Sequence, residues 1–160
     1  MPGVQEETNK KLVTVLYESL SSKNGNAVQH LLAPDLEWWF HGPPSHRHHL
    51  IRLFTSCTSS SNDNNSYSSF VFVPVSIVAF GSIVIAEGHN EENSVSWVHA
   101  WTVTDGVITQ VREYLNTSVT VTRFGNLDGV SQTQVSSSKC ACVWQSKLSY
   151  ESVPGLILAL

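Results

Sequence analysis

The chain has 160 residues, of which 41% are hydrophobic and 14% charged, with a formal net charge of −4. That suits one domain with a genuine apolar core and a surface that relies on Ser, Thr and Asn for its polarity. No basic run is present, and phosphate tracking rests on clustered Lys and Arg, so no nucleic-acid partner is expected.

Leu12, Val13, Leu16, Tyr17 and Leu20 recur at helical spacing. They predict a first helix with Thr8 or Asn9 as N-cap, ended by Asn24-Gly25-Asn26. A short helix from Ala27 to Leu32 precedes Pro34. Leu36 to Phe40 reads as an aromatic-rich strand stopped by Gly42-Pro43-Pro44, and His48 to Phe54 returns to helical spacing. Thr58 to Ser69 is almost pure Ser, Asn and Asp, so the reading there is a mobile surface loop. Four strands follow, at Phe70–Val78, Ser82–Gly88, Ser94–Thr104 and Val107–Thr117. Pro74 marks an edge or bulge in the first, and Asp105-Gly106 joins the last two. Asn126 to Lys139 is polar and Ser/Gln-rich, a flexible connection, and Cys140 to Leu160 regains apolar content as a tail that docks on the domain or pairs with another chain. The expected organisation is therefore a domain over residues 1–125, a connection over 126–139 and an apolar tail over 140–160. Helices first and consecutive strands after them indicate an α+β domain with a mainly antiparallel sheet.

The opening MPGVQEETNKK lacks an apolar signal core, and the final VPGLILAL is too short to span a bilayer, so no membrane partner is expected. Three cysteines, Cys57, Cys140 and Cys142, have no framework spacing. That suits a reducing compartment, with cytoplasm and nuclear access as the expected location. Among the histidines, His41, His46, His48 and His49 cluster around Pro43-Pro44 without a carboxylate or cysteine at a recognised spacing. They read as a polar pocket rim and not as a metal site, and neither metal nor cofactor is expected.

Period-two alternation puts Trp97, His99, Trp101 and Val103 on one face of a strand, and Val107, Thr109, Val111, Glu113 and Leu115 on one face of the next. Whether Glu113 shares the face of His99 depends on the hairpin. A two-residue Asp105-Gly106 loop pairs Thr104 with Val107 and separates them. A three-residue loop with a bulge pairs Val103 with Val107 and sets Glu113 opposite Trp97, diagonal to His99. The three-residue form is preferred, because it gives the carboxylate an aromatic pocket. There, among Trp97, Trp101 and Val111, lost solvation raises its pKa toward neutrality, and His99 stands ready to exchange a proton with a ligand. Three roles stay open for Glu113: catalysis, pocket lining without chemistry, and a structural ion pair with Arg112 or Lys147. Trp39 lies in the core or at the pocket mouth, and Tyr17 reads first as a core tyrosine.

The runs EWWFHGPPSHRHHLIRLFT, VSWVHAWTVTDGVITQVREYLNTSVTVTRFG and VWQSKL…VPGLILAL resemble the plant wound-induced and senescence-associated protein family. That family belongs to the cone-shaped ketosteroid-isomerase/SnoaL-like superfamily, beside nuclear transport factor 2 and limonene epoxide hydrolase. The resemblance implies a curved sheet backed by N-terminal helices around an apolar pocket. It implies a stress-, wound- or senescence-responsive plant protein, and cone-fold relatives commonly pair as homodimers; the first functional reading is a binder of a small hydrophobic metabolite. The alternatives are a cofactor-free isomerase, cyclase or hydrolase using Glu113 and His99, and a dimeric interaction module. Arg112-Glu113-Tyr114 is similar to the run that carries a catalytic aspartate in cone-fold epoxide hydrolases. His99 stands where isomerases of this fold place a hydrogen-bonding aspartic acid, and Tyr17 lies in the helix that supplies their oxyanion-binding tyrosine. Two departures argue against direct transfer: IAEGHN lacks the epoxide hydrolases' arginine, and Asn116 stands where many relatives have aspartate.

Overall fold

A computed structural model describes residues 2–58, 70–92, 94–124, 140–147 and 156–160. Two helices, α1 (Pro2–Ser21) and α2 (Gly25–Leu31), lead into strand β1 (Leu32–His41). A 3-10 turn at Pro44–His46 and helix α3 (His49–Thr58) follow. Strands β2 (Pro74–Phe80), β3 (Ile83–Asn90), β4 (Val95–Thr104) and β5 (Val107–Leu115) come next, and then β6 (Val119–Phe124), β7 (Cys140–Gln145) and β8 (Leu156–Ala159).

Helix α1 buries Val13, Leu16, Tyr17 and Leu20, the i, i+3, i+4, i+7 stripe of an amphipathic helix. It begins at Pro2 and not at Thr8 or Asn9. Asn9 is itself buried, where its amide donates to the Gly81 carbonyl at 3.2 Å, while Glu6 accepts from Gly81 N at 2.9 Å. The polar start of the chain is thus helical because it clamps the β2–β3 turn.

The main sheet has the order β1-β5-β4-β3-β2, antiparallel except for β1, which runs parallel to β5. Its concave face meets the helices. There Val84, Ala86, Trp97, Trp101, Val103, Ile108, Val111 and Leu115 pack with the α1 stripe, Val28, Leu50, Phe70 and Phe72.

The hairpin differs from the three-residue loop expected. Thr104 pairs with Val107, and both Asp105 (φ 50°) and Gly106 (φ 78°) are left-handed, as a two-residue turn of the I′ kind requires. A bulge at Thr109 then shifts the ladder, so that Val103 faces Ile108 but Thr102 faces Gln110. The extra residue restores Glu113 to the concave face, directly opposite His99 instead of Trp97.

A second sheet, of order β7-β6-β8, is formed by the last strands. It packs with the convex face of the first, where Val119, Val121 and Leu158 join Ile85, Val98, Ala100 and Tyr114. This part of the convex face is therefore covered by the chain's own last strands. Tyr114 lies in this second core and Ile108 in the concave one. All of the expected polar connection, and all of the expected surface loop except Thr58, fall outside the described residues.

Candidate functional site

His99 sits at the middle of β4 with no accessible surface, and its ring is the centre of a hydrogen-bonded thread. Trp101 Nε1 donates to Tyr17 Oη at 2.9 Å. Tyr17 Oη lies 2.6 Å from His99 Nδ1, and His99 Nε2 lies 2.7 Å from Glu113 Oε2. The direction of the thread follows from its donors. The Tyr17 hydroxyl proton has no acceptor among the described residues except Nδ1, so Tyr17 donates and Nδ1 carries no proton. The imidazole N–H is then on Nε2 and donates to Glu113. Burial pushes the Tyr17 phenol well above its usual pKa, and the Glu113 carboxylate adds to the rise against the opposing Trp101 hydrogen bond. Tyr17 accordingly stays a donor across the physiological range.

One atom is left over. Glu113 Oε1 is buried and meets no hydrogen-bond donor among the described residues. Neither Arg112 nor Lys147 neutralises it. Arg112 belongs to the alternate face of β5, and no ion pair joins either cation to Glu113 among the described residues. Among the described residues, the side-chain hydrogen-bond partner of Glu113 is His99.

The surroundings are aromatic. Trp97 and Phe72 lie 4.8 Å from the His99 ring centre, Trp101 5.3 Å and Tyr17 5.9 Å. Phe72 was not among the residues singled out from the sequence, although Phe70 and Phe72 alternate onto one face of a short apolar run. A void of about 30 Å³ lies beyond it, lined in part by Leu20, Leu53, Phe70 and Phe72. That is about the room of one water molecule. The open pocket expected from Trp97, Trp101, Val111 and Tyr17 is thus filled by those side chains, all 3% exposed or less.

Two other expected ligand residues lie elsewhere. Trp39 and His41 alternate with Trp38 and Phe40, which pack toward the concave core, so they belong to the opposite face. Trp39 is 54% exposed, and His41 stacks on Tyr114 with ring centres 4.9 Å apart. Burial and then the nearby Arg112 lower the His41 pKa. His46 and His49 approach to 3.1 Å, and His49 stacks on Phe70 at 4.2 Å. No cluster of three or more metal-ligating side chains occurs among the described residues.

Residues 53–160 match the family model of wound-induced protein WI12. The chain belongs to the WI12 family. It is 55% identical over 115 residues to senescence associated gene 20 of Arabidopsis thaliana, covering 69% of this chain and all of that one. It is 56% identical over 96 residues to wound-induced protein 1 of Solanum tuberosum, covering 58% and 89%. Among solved structures, Bal32a from a soil-derived mobile gene cassette aligns with a TM-score of 0.52 at 14% identity, covering 69% of this chain and 91% of that one. An NTF2-like protein from Burkholderia xenovorans aligns at 0.47 and 20% identity, covering 69% and 90%. A putative SnoaL-like polyketide cyclase from Jannaschia aligns at 0.47 and 13%, covering 69% and 87%. This WI12-family chain has an α+β fold shared with Bal32a, and the relatives from Arabidopsis thaliana and Solanum tuberosum are named for senescence and wounding.

Proposed function

We propose that this WI12-family chain is a stress-responsive binding protein whose cone interior takes a small hydrophobic metabolite carrying a hydroxyl group. The observation that carries the reading is Glu113 Oε1, a buried acceptor left unpaired while its sister oxygen is anchored by His99. An unpaired buried polar atom costs about 1–3 kcal/mol, and more when it is charged. A ligand O–H supplies the missing donor, while the aromatic walls supply apolar contact. Access runs past Phe72. Its neighbours Val71 and Val73 are exposed and lie outside the strands, so moving its ring would break no ladder.

A second reading rests on the same thread. Tyr17, His99 and Glu113 form a directed relay that ends on a carboxylate free to accept a proton, the arrangement a general base needs. It makes the chain a cofactor-free isomerase, cyclase or hydrolase.

Glu113→Gln separates the readings, because the amide keeps the size of the side chain but abolishes proton transfer. Denaturation curves at neutral pH and ligand assays with a terpenoid, phenolic and oxylipin panel are the measurements. A binder keeps affinity within a few-fold and gains stability from removal of a desolvated charge. An enzyme loses about a hundred-fold or more in rate. A large loss of stability with no ligand effect instead makes Glu113 a purely structural partner of His99 and overturns both.

A further inference from the structure

A second site lies along the free edge of β1, on residues the interior thread does not use. Trp38, Trp39, Phe40, Gly42, Pro44 and Arg47 line a cleft of about 380 Å³, within the range of small-molecule sites. The Arg47 guanidinium lies over the Trp38 ring, 5.4 Å from its centre, and forms no ion pair among the described residues. A guanidinium over a ring face makes a cation–π contact and still has N–H groups to offer, the fork that matches a carboxylate.

The charge distribution points the same way. Although the whole chain is acidic, residues 38–58 contain no Asp or Glu but carry Arg47 and Arg52. Arg112 is the register partner of Trp39 on the neighbouring strand. The acid on β1 beside the cleft, Glu37, already accepts from Gln110 Nε2 at 3.1 Å. Exposed indole surface next to an unpaired guanidinium is a seat for a planar organic monoanion.

The geometry points to this cleft as a binding site for an aromatic or conjugated carboxylate, with Arg47 holding the carboxylate and Trp38 and Trp39 the planar body. The site is independent of Glu113. The probes are trans-cinnamate and its neutral isostere cinnamamide, titrated into the full chain and followed by the indole N–H resonances of its tryptophans. Cinnamate is expected to move the Trp38 and Trp39 signals saturably, with cinnamamide at least ten-fold weaker. Arg47→Met, an exposed substitution, is expected to cut cinnamate affinity at least ten-fold, to the level of cinnamamide. Glu113→Gln is expected to leave it within two-fold. Equal affinity for the two probes, no saturable shift, or an undiminished response in Arg47→Met overturns the assignment. So does a response confined to Trp97 and Trp101 and lost in Glu113→Gln, which places the probe in the interior.

Discussion

Gly88 pairs with Trp97 across the β3–β4 ladder, and the indole lies over it. A Cβ at Gly88 would collide with that ring and come 2.6 Å from the Val73 carbonyl oxygen. Gly88→Ala must therefore displace a fully buried indole that flanks His99. A loss of about 1–3 kcal/mol in denaturation free energy is expected, typical of overpacking; a neutral result would mean that Trp97 moves freely. His49 makes a different prediction at the same scale. Burial, then His48, His46 and Arg52, lower its pKa from 6.5 to about 4. The folded state thus favours neutral His49, and below pH 6.5 the unfolded chain takes up a proton that the folded chain refuses. Stability from this residue is full above pH 6.5 and drains away as pH falls toward 4. Because the ring is partly solvated, the effect is about 1 kcal/mol and not the full value of the shift. Thermal melts across that window should show a larger loss in wild type than in His49→Phe, which keeps an aromatic ring against Phe70 but cannot titrate. Parallel curves for the two proteins would contradict the assignment.

At the scale of elements, the C-terminal strands are the part whose role is easiest to test. Leu158 is buried against the convex face, and Val143, Trp144 and Leu160 pack around the same cluster. Ending the chain at Ser138 removes β7 and β8 and uncovers Val98, Ala100 and Tyr114. Loss of three such buried side chains is worth about 5 kcal/mol. The truncated protein should aggregate or melt far below wild type in a calorimeter, whereas an equally stable truncation would show that the second sheet is dispensable. Here the sequence was partly legible. The stripe in α1, the concave alternation of β4 and the place of the turn at Asp105-Gly106 follow from side-chain period and backbone preference, but the three-residue length preferred for that turn does not hold. The bulge at Thr109 does not, because its position is settled by which ladder buries Glu113 beside His99, a tertiary term. Likewise, alternation in Trp38, Trp39 and Phe40 shows that one tryptophan faces out, but only the parallel pairing of β1 with β5 decides that it is Trp39. The start of α1 was missed because its polar residues are held by the Gly81 turn, 72 positions from Asn9.

For the whole molecule, two consequences follow from the architecture. With the convex face of the main sheet covered over Val98, Ala100 and Tyr114, any homodimer must use another surface, and the free edge beside β2 carries exposed Val73 and Val75. We expect pairing there, with Val75→Lys dissociating the dimer in sedimentation experiments, since an edge lysine blocks strand-to-strand association. A concentration-independent monomer in wild type would contradict this. The second consequence concerns the interior, where a packed aromatic core closes over an unpaired carboxylate oxygen. Packing of this density argues for a site that opens around its ligand and not for a standing cavity. Binding to the native state then raises the melting temperature by mass action. The most direct test is a matched pair from the screening panel, one hydrophobic alcohol and its methyl ether, each scanned for its effect on the melting temperature. The prediction is that an alcohol stabilises the protein while its ether, unable to donate to Glu113 Oε1, does not. Equal shifts from both, or no shift from any alcohol, would contradict the proposal that Glu113 anchors a ligand.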